Sequence, residues 1–120
     1  MRSQFLKKKY IDDDENKNFT SVTLRNYITG ETHETMRIGV NFIAEYTESD
    51  GLNRFVHCRD VSSNYPSFPI VRPNLDTLYS LGVFDASTGP FQINLPPVGE
   101  RYMSIECTNE EHYVEYFSKE

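Results

Sequence analysis

The run from Gly51 to Asn74 constrains this chain more than any other segment. Pro66, Pro69 and Pro73 punctuate it, and proline lacks the N–H that a ladder or a helix interior needs. An irregular connection is therefore predicted in the middle of a 120-residue chain, a length that suits one domain. So long a connection in so small a domain is expected to cover or build a site. It also separates two halves of different periodicity.

Before it, Leu24, Tyr27, Ile28, Ile38, Phe42, Ile43 and Tyr46 recur at the three-and-four spacing of one helical face. This predicts a helix from Thr23 to about Tyr46, with Thr23 as its N-cap and Val22 placed to meet Tyr27 as a hydrophobic staple. Gly30 and Gly39 each weaken a helix interior by about 0.5–1 kcal/mol relative to alanine, so a break or bend is expected there. The stripe carries Glu31 and Thr35 inward, where a carboxylate is costly without donors. Glu31 is thus a candidate ligand-binding residue; the alternative is a half-exposed side chain that reaches water.

After the proline-rich run the period becomes two. Residues 77–84 read as a strand, Asp85 to Pro90 as a turn, and Phe91, Ile93 and Leu95 alternate with Gln92 and Asn94 as a second strand. Pro96 to Glu100 turn the chain, and Met103, Ile105 and Cys107 alternate with Tyr102, Ser104 and Glu106 as a third. The predicted class is α+β or mainly β: an N-terminal helix, a long ordered loop and a three-stranded antiparallel meander whose apolar side packs on the helix. The acidic finish, with Glu100, Glu106, Glu110, Glu111, Glu115 and Glu120 against Arg101 and Lys119, reads as a solvated edge or tail.

Residues 1–20 mix Arg2, Lys7, Lys8, Lys9 and Lys17 with Asp12, Asp13, Asp14 and Glu15. They read as a flexible polar arm ahead of a single domain at 21–120. No apolar run follows the early basic residues, as a signal peptide requires, and no stretch reaches the ~18–20 apolar residues of a membrane span. The expected location is cytoplasmic, with Cys58 and Cys107 as free thiols. A net charge of −6 argues against nucleic-acid and anionic-membrane partners, which select basic surfaces.

The run Val71-Arg72-Pro73-Asn74-Leu75-Asp76-Thr77-Leu78-Tyr79-Ser80 is followed by Val83-Phe84-Asp85, Gly89-Pro90, Leu95-Pro96 and Arg101-Tyr102. This order resembles the uncharacterised, mainly bacterial family called domain of unknown function 1254. Upstream, Val22 to Tyr27, Glu31-Thr32, Asn53-Arg54-Phe55, His57 and Arg59 share in the likeness; so do Asn109, His112 and Tyr113 downstream. It spans about residues 22–113. Members commonly carry a second domain, domain of unknown function 1214, and continue well beyond the point where this sequence stops. The resemblance therefore implies a chain that self-associates, pairs with a separately encoded second half, or is a fragment, since a strand edge left uncovered invites pairing. It implies no settled activity.

The candidate site gathers around the proline-rich run. Asn74 and Asp76 stand where the loop enters a strand: Asp76 can serve as base or ligand and Asn74 as an orienting group, or both can fix the turn through backbone N–H groups. His57 and Arg59, two residues apart, offer a titratable group and a bidentate cation. With Asp76, Glu31, Tyr79 and Arg101 they would bind a small polar ligand; the competing reading is an ion-pair network pinning the loop. His33, His57, His112, Cys58 and Cys107 lack a familiar metal-ligand spacing, and no cofactor is expected. Ser80 lacks the glycine two residues before it that a nucleophile elbow needs. Two functions from different classes follow: a small-ligand-binding or assembly module, or an enzyme acting on a small polar metabolite with Asp76 and His57 as catalytic residues and Arg59 beside them. A third reading is a truncated remnant without function.

Overall fold

The computed structural model describes residues 21–119; the expected polar arm at 1–20 lies outside them. One long helix, α1 (Leu24–Thr47), precedes four strands: β1 (Arg54–His57), β2 (Ser80–Val83), β3 (Ser104–Thr108) and β4 (Val114–Lys119). The class is α+β. The strands form two separate antiparallel pairs, β1 with β2 and β3 with β4.

Helix α1 starts where the sequence predicts. Thr23 closes a capping box, its Oγ1 accepting from the Asn26 N–H while Asn26 Oδ1 accepts from the Thr23 N–H. Val22 is 78% exposed, so the staple to Tyr27 adds little burial. The helix runs without a break through Gly30 and Gly39, where a break or bend was expected. Gly39 faces Val83 of β2, which a Cβ there would meet at an ordinary 3.9 Å, so packing on the sheet outweighs the propensity cost.

The apolar stripe is buried only toward its C-terminal end. Val40, Phe42 and Ile43 are essentially inaccessible, whereas Leu24 is 84% exposed and Tyr27 and Ile28 remain more than half exposed. Phe42 and Ile43 pack with Val56 and Cys58, and Tyr65, Phe68, Leu81 and Val83 close around them.

The proline-rich run is less irregular than predicted, because all three prolines fall after Arg54–His57. Those four residues form β1, in register Arg54↔Val83, Phe55↔Gly82, Val56↔Leu81 and His57↔Ser80 with β2. Val56 and Leu81 lie on the helix side. Opposite Phe55, only a glycine fits: a Cβ on Gly82 would come within 2.5 Å of the Phe84 ring and 3.0 Å of Phe55. The rest of the loop is ordered by aromatic packing. Phe68 meets Phe42 edge-on at 5.5 Å and Tyr79 at 5.4 Å, and Tyr65 meets Tyr46 at 5.3 Å. Ser67 donates to Glu45 on the helix at 2.7 Å.

The second half of the chain corrects one sequence expectation and decides another. Residues 91–95 form no strand; Phe91 instead stacks on Phe84 at 5.0 Å, and Pro96 and Pro97 follow at once. The three-stranded meander is therefore replaced by two antiparallel pairs, of which β3–β4 is a hairpin and β1–β2 is closed by the long loop. Of the two readings of the acidic finish, solvated edge or tail, the structure shows the edge: Val114–Lys119 pair with Ser104–Thr108, with a bulge between Cys107 and Thr108, and their side chains are mostly exposed. Val114, Tyr116 and Phe117 do not alternate cleanly with polar residues, Tyr116 and Phe117 being adjacent, so period two does not mark the strand.

Candidate functional site

The junction between loop and β2 is built by Asn74. Its Oδ1 accepts from the Asp76 N–H, its Nδ2 donates to Thr77 Oγ1 at 3.1 Å, and its own N–H donates to Tyr79 Oη at 2.9 Å. This is an Asx turn: the side chain replaces a backbone acceptor two residues on. Asn74 and Tyr79 thus shape the entry to β2, and Asp76 takes part through its backbone, with its side chain exposed.

His57, at the end of β1, has its Nδ1 2.8 Å from Ser80 Oγ across the strand pair. Its ring also stacks on Phe55, with centroids 5.9 Å apart. Arg59 follows β1, and its backbone N–H donates to Tyr65 Oη at 2.9 Å. Arg101 sits in the turn before β3, where its N–H donates to the Val98 carbonyl at 3.2 Å. Among the described residues, no hydrogen bond or ion pair joins the side chains of Asp76, His57, Arg59 and Arg101 to one another. Around this region Asp60 accepts from Asn64 Nδ2 and from the Val61 N–H; those bonds hold its carboxyl below the usual range. Burial pushes the Cys58 thiol up.

Glu31 lies elsewhere. It is exposed rather than turned into the core, and it lines an open cleft of about 530 Å³ between the first half of α1 and the β3–β4 turn. Tyr27, Ile28, Glu31, Thr32 and Thr35 form the helix wall; Glu111, His112 and Tyr113 form the other. Asn109 organises the turn. Its Oδ1 accepts from the N–H groups of both Glu111 and Tyr113 at 3.0 Å, and its Nδ2 donates to Glu115 at 2.6 Å. His112 takes a positive φ of 66°, and Glu110 approaches His33 of the helix at 3.5 Å.

The match to known families falls on the strand and loop scaffold just described: residues 52–113, about half of the chain, match the family described as protein of unknown function DUF1254. The chain belongs to this family. The match begins after α1, so the DUF1254 segment comprises the β1–β2 pair, the proline-rich loop, β3 and the cleft's turn residues Glu111 to Tyr113. No curated protein and no solved structure matches the chain. Among the described residues, no helix is long and apolar enough to cross a membrane, and no group of three or more His, Cys, Asp or Glu side chains is placed to hold a metal.

Sequence reasoning named one cleft residue, Glu31, as a ligand-binding candidate. That the helix residues meet Glu111 to Tyr113 was out of reach, because the cleft joins a helix to a turn from the opposite end of the chain. The available signal was Asn109, whose type at the head of a short polar stretch is that of a turn-former.

Proposed function

We propose that this DUF1254 chain is an assembly module that pairs with a second copy of itself through the outer edge of β4. The observation that carries the reading is the makeup of that strand: Val114, Tyr116 and Phe117 are each more than half exposed, and among the described residues β4 pairs only with β3. A two-stranded hairpin is marginal in water alone. An apolar strand with an unpaired edge is a template for another strand.

Charge favours an identical partner. Glu115 stands near the start of β4 and Lys119 at its end. Antiparallel pairing about Phe117 sets Lys119 of each copy against Glu115 of the other. The bulge lies at the Cys107–Thr108 step, leaving Tyr116 to Lys119 regular for such an edge.

Light scattering on the purified chain tests this. The expected native mass is twice the chain's 14.0 kDa, returning to the single-chain value in Phe117→Lys, which places two cations on the pairing axis. A cooperatively folded monomer at about 100 μM would refute the reading, since useful assembly demands tighter binding than that. A dimer that persists undiminished in Phe117→Lys would refute the β4 edge as its seat.

A further inference from the structure

We infer that the cleft between α1 and the β3–β4 turn binds a small organic cation, an alkylammonium with an apolar body. The inference is independent of the β4 edge, since the cleft draws its second wall from Glu111 to Tyr113, ahead of that strand.

The cleft carries two carboxylates, and its own side-chain donors are the Tyr27 and Tyr113 hydroxyls and the His112 ring. Glu31 approaches from the helix and Glu111 from the turn, and no Lys or Arg lines the cleft. The two threonines have already committed their donors: Thr32 Oγ1 donates to the Ile28 carbonyl at 3.0 Å and Thr35 Oγ1 to the Glu31 carbonyl at 2.9 Å. What those hydroxyls offer inward is their lone pairs. A guest meeting carboxylates and hydroxyl lone pairs must bring positive charge or donors.

The remaining walls decide between an inorganic and an organic cation. Tyr27 and Tyr113 stand on opposite walls with Ile28 beside them, and both tyrosine rings are more than half exposed. Aromatic faces attract alkylammonium groups through the ring quadrupole, and more strongly as the site is desolvated. A hard divalent ion would want a shell of several converging oxygens. Glu31, Glu111 and His112 do not form such a group, since no metal-holding set exists among the described residues. At about 530 Å³ the open cleft has room for a guest of several carbon atoms.

Choline and its uncharged carbon isostere 3,3-dimethylbutanol, titrated into the whole chain by calorimetry and followed by NMR, provide the test. The expected result is saturable choline binding about tenfold tighter than that of the isostere, the two carboxylates and the tyrosine faces acting together on the charge that the isostere lacks. Glu31→Gln and Glu111→Gln, each retaining the parent circular dichroism and melting curve, are expected to weaken choline about tenfold while leaving the isostere unchanged. Equal binding of the two probes, or no saturable choline binding by the unmodified chain, would overturn the inference. So would full choline affinity in the folded Glu31→Gln, Glu111→Gln double variant. The comparison of probes on the unmodified chain stands even if a variant fails to fold.

Discussion

Asn53 Oδ1 accepts a hydrogen bond from the Asp85 N–H at 2.8 Å, while the Asn53 N–H donates to the Val83 carbonyl at 2.8 Å. One side chain thus continues the β1–β2 ladder past its last backbone pair. Asn53 adopts φ 55° to do so, a left-handed conformation that asparagine tolerates better than most residues. Asn53→Ala loses the acceptor and keeps the strain, and is expected to cost about 1–2 kcal/mol in urea unfolding. Asn53→Gly removes the strain and loses only the bond, so it should be the milder of the two. If alanine is the milder, the φ at this position is not what selects asparagine.

Gly51 and Gly30 give opposite expectations for the same change. At Gly51, φ is +78° and a Cβ would stand 2.1 Å from the Val40 carbonyl oxygen, which is helix backbone and cannot swing aside. Gly51→Ala is expected to destabilise by about 2–4 kcal/mol or to prevent folding. At Gly30 nothing lies within 4 Å of an added Cβ, and the residue is inside α1. Gly30→Ala should raise stability by about 0.5–1 kcal/mol. Chemical denaturation midpoints of the two variants check both signs.

Much of the fold was legible in the sequence, for reasons that also explain the errors. Thr23 marked the start of α1 because capping is local chemistry. Tyr27 and Ile28 were read as core because periodicity reports a face but not whether anything covers it; in the structure the buried apolar residues of the helix lie only at its Val40–Ile43 end. β1 was hidden because His57 was read with the prolines that follow it, although strand pairing depends on the partner at Ser80 to Val83. At the site, Asn74 was legible as a turn-former, and the structure realises that reading in three hydrogen bonds. Glu31 was noticed for being costly in a core. It sits instead on a cleft whose second wall no local pattern could supply.

The turn before β2 separates the roles of Asn74 and Asp76. Asn74→Ala removes the acceptor for the Asp76 N–H and the bond to Thr77, and should cost about 0.5–1.5 kcal/mol at this exposed position. Asp76→Asn leaves the backbone N–H and the Asx turn in place, so its effect should stay within about 0.5 kcal/mol. Thermal melts of the two variants decide the matter; a large loss in Asp76→Asn would show that the carboxylate itself holds the fold.

Cys58 sets a pH limit on stability. Its thiol is buried and raised above its ordinary value of 9.0 by desolvation, so the folded chain holds the proton longer than the unfolded chain does. The stabilising difference is complete below the unfolded value and is lost as pH rises through the folded one. As pH rises above about 8.5, urea midpoints of the parent should fall more steeply than those of Cys58→Ala, which has no thiol to ionise there. With iodoacetamide at neutral pH, the partly exposed Cys107 should react well before Cys58.

Hydrogen exchange separates the two sheets. β1 and β2 pack against α1 and the core around Phe42, so their amides open only with much of the domain. β3 and β4 carry mostly exposed side chains and meet α1 at their turn, so as a two-stranded hairpin they should exchange far faster. At dilution that drives the chain to monomer, amides of Val56 and Leu81 are expected to keep protection while those of Tyr116, Phe117 and Ser118 lose it. Raising the concentration should restore protection along β4 without changing β1, because edge pairing covers outward N–H groups in β4 alone. Uniform protection across both sheets at every concentration would mean that the hairpin is held by its own chain, and the β4 edge would then have no reason to pair.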